Sequence, residues 1–180
     1  MILTPRPYHG IEDFEHLDAI LASAGQVGGC PYYVHPGDLR WWLFYTFPED
    51  PPWANLHLWQ DAHGRPCAWT LLSPQEAALD VFCLPEVHHS PALERLLSWG
   101  VERLKDLLRQ SDETRLYKWW NHPQDAFLQN ALSACGFAPG DERSVVLAHP
   151  LENPLPEAAV PAGFTLRVSR GLAEVERRAA

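Results

Sequence analysis

The residues whose types and spacing come closest to a chemical site lie in Leu79–Trp99, LDVFCLPEVHHSPALERLLSW, where a short apolar strand, a turn and an amphipathic helix follow one another. That is the outline of a phosphate cradle. In such a unit the open N–H groups at the helix start, aided by the helix dipole, point at an anion. Glycines usually bring the backbone close to the phosphate, and this turn has none. Two further groups qualify by residue type. His57, His63 and Cys67 fall around an expected hairpin, and Cys83, His88 and His89 around the turn just described. Neither has a recognised metal-ligand spacing, so no metal site is expected. Cys30 and Cys135 complete a set of four cysteines with no C-x-x-C pair, which reads as reduced, buried thiols.

The elements that must position these residues follow from periodicity. Ile2–Arg6 reads as a first strand, with Pro5 tolerable near an edge or a strand start. Phe14, Leu17, Ile20, Leu21 and Ala24 give a helix stopped by Gly25, with Glu12 and Asp13 in its first turn. Asp38 reads as the N-cap of a short aromatic helix, Leu39–Tyr45. Leu56–Gln60 and Cys67–Leu72, joined by Asp61-Ala62-His63-Gly64, form a hairpin. Leu79–Leu84 is the next strand, and Leu93, Leu96, Leu97, Val101, Leu104, Leu107 and Leu108 make the apolar stripe of the helix behind it. Arg115–Trp120 is a further strand, Asp125–Cys135 a helix capped by Asp125 and ended by Gly136, and Ser144–Ala148 a last strand. The fold class is α/β, a mixed, mostly antiparallel sheet with helices on both faces.

Composition narrows the function. The chain has 180 residues, 46% of them hydrophobic and 21% charged, enough for one core plus a fragment. A formal net charge of −9 speaks against gripping nucleic acid. No run is long and apolar enough to cross a bilayer, and the opening residues do not resemble a signal peptide, so a cytoplasmic protein with no membrane role is expected.

Pro150, Pro154, Pro156 and Pro161 mark a linker. Beyond it, residues 165–175, TLRVSRGLAEV, lie without gaps on residues 4–14, TPRPYHGIEDF. Thr165 matches Thr4, Arg167 matches Arg6, Gly171 matches Gly10, Leu172 matches Ile11, Glu174 matches Asp13 and Val175 matches Phe14. Three parts are expected: residues 1–150 as a domain, 151–163 as a linker, and 164–180 as the incomplete start of a second repeat. Such a fragment has to borrow a partner, from the same domain or from another chain by homodimerisation or strand exchange.

The layout of the first 150 residues resembles the GNAT acyl-CoA N-acyltransferase superfamily. The family's cofactor segment, P-E-x-R/Q-x-x-G-x-G/A-x-x-L-L-x-W, is matched by Pro85-Glu86, Leu96-Leu97 and Trp99. His88 stands where Arg or Gln is usual, Pro91 on the first glycine and Leu93 on the second. Asp125–Phe137 is similar to the family's helix ending in G-F, with Leu132 in place of the Tyr that often acts as general acid. The resemblance implies acetyl-CoA as cofactor and a small-molecule or peptide amine as acceptor. It implies that main-chain groups of Val81, Phe82 and Cys83 hold the pantetheine arm, and that His88, His89, Ser90, Pro91, Ala92 and Leu93 face the pyrophosphate. Pro91 has no N–H to give, Leu93 brings a Cβ, and His88 is a weaker partner for phosphate than Arg.

A transfer to an amine needs a base, and often an acid. Asp80, Glu86, His88, His89 and Tyr117 are the titratable residues near the sheet centre, and spacing singles out none as catalytic. His88-His89 also reads as a solvated turn, and Asp125 as a helix cap. Trp41, Trp42, Phe44, Tyr45 and Trp53 line an acceptor groove on one reading and are core rings on the other. Two functions stand: a GNAT-type N-acetyltransferase with a degenerate pyrophosphate loop in this domain, or a noncatalytic binding or dimerisation module of the same fold.

Overall fold

A computed structural model describes residues 1–26, 34–45, 52–141, 152, 154, 159–168 and 171. The chain divides into two units, Met1–Pro139 and Gly140–Ala180. The first unit holds β1 (Thr4–Pro7), α1 (Ile11–Gln26), α2 (Pro36–Tyr45), β2 (Leu56–Gln60), β3 (Pro66–Ser73), β4 (Ala78–Cys83), α3 (Pro85–His88), α4 (Ala92–Leu107) and α5 (Ala126–Ala134). The four strands form an antiparallel sheet in the order β1-β2-β3-β4.

Each face of the sheet carries its own core. Phe14, Leu17, Ile20 and Leu21 of α1 and Leu39 and Leu43 of α2 pack with Leu58, Trp69, Leu71 and Phe82 on one face. On the other, Leu93, Leu96, Leu97, Val101 and Leu104 of α4 and Leu128 and Leu132 of α5 pack with Leu72, Leu79, Val81 and Cys83. Side chains alternate along a strand, which is why Phe82 serves one core and its neighbours Val81 and Cys83 the other. Burying a leucine side chain of this kind contributes roughly 2 kcal/mol, so the α4 stripe is the main anchor of its face. At Gly100 a Cβ would stand 3.4 Å from Leu79 and 3.5 Å from Thr70, so α4 passes the sheet at near-contact distance there.

At the edge, the Tyr8 N–H donates to Leu56 at 3.0 Å. By alternation Thr4 and Arg6 turn their main-chain groups toward β2, whereas Pro5 and Pro7 face outward, where no N–H is needed. The β2–β3 turn is organised by Asp61, whose Oδ1 accepts the N–H groups of His63 and Arg65 at 2.9 and 3.0 Å.

Four sequence readings are corrected. Helix α2 starts at Pro36 and not after an Asp38 cap; His35 closes its end, its Nδ1 accepting the Gly37 N–H at 2.9 Å and its carbonyl the N–H groups of Asp38 and Leu39. A short helix, α3, follows β4, since Pro85 fits a first helical position and Leu84 supplies the first carbonyl. Residues 115–120 make one parallel bridge, Tyr117 to Ala78, and no strand. The ladder stops because a side chain replaces it: the Trp120 N–H donates to Asp80 Oδ1 at 3.1 Å. The first strand begins at Thr4, not Ile2. The expected strand 144–148 lies outside the described residues.

Candidate functional site

The nine residues expected to meet a cofactor lie on β4, the end of α3, the turn of residues 89–91 and the start of α4. Val81, Phe82 and Cys83 form the end of β4 and are 2%, 0% and 1% exposed. The Leu79 N–H is bonded to the Tyr117 carbonyl at 2.9 Å across the bridge, so by alternation the main-chain groups of Val81 and Cys83 face that same edge. Beyond the bridge, no further β-ladder forms on that edge among the described residues.

Lys118 closes the angle between that edge and residues 118–120. Its Nζ lies 2.7 Å from Asp80 Oδ1, donates to the Trp120 carbonyl and sits 5.7 Å from the centre of the Phe82 ring. Both side chains are almost wholly buried, at 2% for Lys118 and 4% for Asp80. Asp80 is therefore committed to Lys118 and Trp120 and is not a spare base. Sequence reading missed Lys118; the signal was a lone cation inside the apolar run Leu116-Tyr117-Lys118-Trp119-Trp120.

The loop after β4 satisfies itself. The N–H groups of Val87 and His88 donate to the Leu84 carbonyl, His89 to Pro85, Ser90 to Val87, Ala92 to Ser90 Oγ and Leu93 to the Ser90 carbonyl, all at 2.9–3.2 Å. Pro91 has no N–H. Every main-chain donor from Val87 to Leu93 is thus used inside the loop. An anion at a helix start is held by open N–H groups, and in this loop those groups are taken by the loop's own acceptors. Leu93 is 2% exposed within the core under α4, so its side chain does not crowd the turn but anchors the helix.

His88 is not solvated, correcting that reading of the turn: its side chain is 12% exposed and its Nε2 lies 2.9 Å from Asp125 Oδ1. Asp125 is the N-cap of α5 as expected, the same oxygen accepting the Leu128 N–H at 3.1 Å, and it also holds the loop. Its other oxygen is buried without a partner. His89 is exposed and edge-on to Phe127, with ring centres 4.7 Å apart. Glu86 is exposed and pairs with Arg65 of the hairpin turn at 2.9 Å. Tyr117 stacks on Trp119 at the surface.

The titratable residues named from sequence are therefore spread over separate partners. His57 packs edge-on to Trp99 with its Nδ1 buried, and burial pushes the ring below the usual imidazole value against a hydrogen bond to the Asn55 backbone that pushes it the other way. Burial likewise pushes the Cys67 thiol up. Among the described residues no three His, Cys, Asp or Glu gather where a metal ion could sit. Of the aromatic set, Trp42 belongs to a ring cluster with Trp69, Phe82 and Trp120, and Trp41 is exposed. Trp53 lines an open depression of about 390 Å³ with Tyr8, His9, Gly10 and Ile11. The side chains of Phe44 and Tyr45 lie outside the described residues.

No helix among the described residues is long and apolar enough to cross a membrane. No family model matches the chain, and no curated protein matches it. Solved structures do. A GNAT superfamily phosphinothricin acetyltransferase from Sinorhizobium meliloti, in complex with AcCoA, is similar with a TM-score of 0.50 and 19% identity over 73% of this chain and 74% of that one. A protein proposed to be a phosphinothricin N-acetyltransferase is similar at a TM-score of 0.43 and 20% identity, over 59% of this chain and 66% of that one. With its antiparallel sheet, helices on both faces and the parallel bridge where β4 and residues 117–120 part, the chain has the fold of the GNAT superfamily.

Proposed function

We propose that the chain serves GNAT-type acetyl transfer, from acetyl-CoA to a small-molecule or peptide amine, and that its first unit is the half without a working cofactor loop. The fold and the AcCoA complex of the Sinorhizobium meliloti structure support the first part. The closed hydrogen-bond set from Val87 to Leu93 carries the second. Phosphate affinity at a helix start comes from open N–H groups and a positive side chain, and here the donors are spent and His88 is turned onto Asp125. In this reading acetyl-CoA is held by another unit of the same fold. Residues 164–180, which repeat the opening of the first unit, belong to that second unit, with residues 151–163 as linker. Cytoplasmic residence is part of the proposal, supported by Cys67, Cys83 and Cys135 standing as thiols.

A noncatalytic holding role for the first unit follows from the same observation, with the exposed Trp41, Tyr117 and Trp119 as contact surface. Calorimetric titration of the purified chain with acetyl-CoA tests the reading. No binding heat is expected up to millimolar cofactor. Micromolar binding overturns it and makes the first unit an acetyltransferase in its own right.

A further inference from the structure

Residues 118–121 spend their main chain on their own side chains and on one buried carboxylate of β4. The Lys118 carbonyl accepts Asn121 Nδ2 at 2.9 Å, and the Trp119 carbonyl accepts Asn121 Nδ2 at 3.3 Å and the Asn121 N–H at 3.0 Å. The Trp120 N–H donates to Asp80 Oδ1 at 3.1 Å, and the Trp120 carbonyl accepts Lys118 Nζ, which lies 2.7 Å from the same Asp80 oxygen. Three consecutive carbonyls are therefore covered without a sheet partner.

One residue earlier the chain is already paired as a strand. The Tyr117 N–H donates to the Ala77 carbonyl and the Leu79 N–H to the Tyr117 carbonyl, both at 2.9 Å, which is the slanted pattern of a parallel pair. Continued by two residues, that pattern joins the Trp119 N–H to the Leu79 carbonyl and the Val81 N–H to the Trp119 carbonyl. On the β4 side the Val81 N–H points to this edge and meets no partner among the described residues. The acceptor it needs is the one Asn121 covers. Tyr117, Trp119 and Trp120 are of types that favour strands, so local preference runs toward the ladder and side chains impose the turn.

We infer that Asn121 and the Lys118–Asp80 pair form a hook that withholds the Trp119 carbonyl from Val81. Residues 117–120 then have two arrangements: the hooked turn, which leaves the β4 edge open at Val81, and a strand parallel to β4, which closes it. The two halves of the hook act on different atoms. Asn121 covers the carbonyls of Lys118 and Trp119, while Asp80 and Lys118 hold the N–H and carbonyl of Trp120 near the Phe82 ring. Side-chain bonds to nearby main chain compete with a ladder in this way. The inference concerns the edge of β4 and not the loop after it, so it stands apart from the cofactor reading.

Amide hydrogen exchange of the full chain, read residue by residue by NMR, tests the hook. Phe82, which faces Trp69 in the β3–β4 ladder, is the internal control for overall stability. Lys118→Met with Asp80→Leu removes the inner half, and the Val81 amide is expected to exchange about tenfold more slowly relative to Phe82 than in the native chain, as one added sheet hydrogen bond does. Asn121→Ala changes an exposed residue and strands no buried charge, so it keeps the test open where the double variant does not fold. It is expected to slow the same amide about threefold. A Val81 amide that keeps its native rate relative to Phe82 in either folded variant overturns the inference.

Discussion

His88 Nε2 lies 2.9 Å from Asp125 Oδ1, and that one oxygen also accepts the N–H that starts α5. The loop after β4 and the helix α5 therefore share a single acceptor. Removing the acceptor releases both, whereas removing the histidine releases one. Asp125→Ala is expected to cost about 2 kcal/mol, the upper end of a helix cap, and His88→Ala about 1 kcal/mol. Urea denaturation of the two variants checks the order; equal losses would mean that the loop contact and not the cap carries the effect.

The Lys118–Asp80 pair makes a second prediction, because each partner leaves a buried charge when the other is removed. Lys118→Met is expected to cost about 3–5 kcal/mol, while the double change Lys118→Met with Asp80→Leu recovers most of it. Equilibrium unfolding of the single and double variants measures the recovery.

Acid stability should show the Arg6–Asp13 clamp. The Arg6 guanidinium holds the Asp13 carboxyl below the ordinary carboxylate range, against an opposing push from burial. A carboxyl lowered in the folded state adds stability above its unfolded value, near 3.9, and that contribution is lost as the pH falls through the folded value. Asp13→Asn is expected to lower Tm at pH 6 and to flatten the acid limb below pH ~4. Melting curves from pH 7 to pH 2 give both.

His57 titrates the other way. Burial lowers its folded value, so below about pH 6.5 the unfolded chain binds the extra proton and stability falls with acidification. His57→Phe keeps a ring against Trp99 and removes the proton site. Its Tm is expected to vary less than that of the native chain between pH 7 and pH 5, as differential scanning calorimetry would show.

Gly100 offers a stabilising change. A Cβ there meets Leu79, Thr70 and Leu72 at 3.4–3.8 Å, ordinary contact distances, and helix propensity favours alanine over glycine by about 1 kcal/mol. Gly100→Ala is expected to raise Tm, and Gly100→Leu to lower it by forcing α4 off the sheet.

Local pattern made the large elements legible. The α4 stripe, the α1 stripe, the hairpin and the Asp125 cap depend on spacing within one segment, and they stand where periodicity puts them. The strand at 115–120 failed because its fate is decided 40 residues away, where Asp80 takes the Trp120 N–H that a ladder would have used. For the same reason the site was legible as a segment and not as a network. The replacements His88, Pro91 and Leu93 could be read one by one, but the contact of His88 with Asp125, 37 residues on, and the pair of Lys118 with Asp80 are made through space.

Pro5 and Pro7 stand on the outward side of β1, where each removes a donor that a second chain could have docked against. An edge without those donors gives a passing chain nothing to add a strand to, so among the described residues the sheet ends at β1 by chemistry rather than by length.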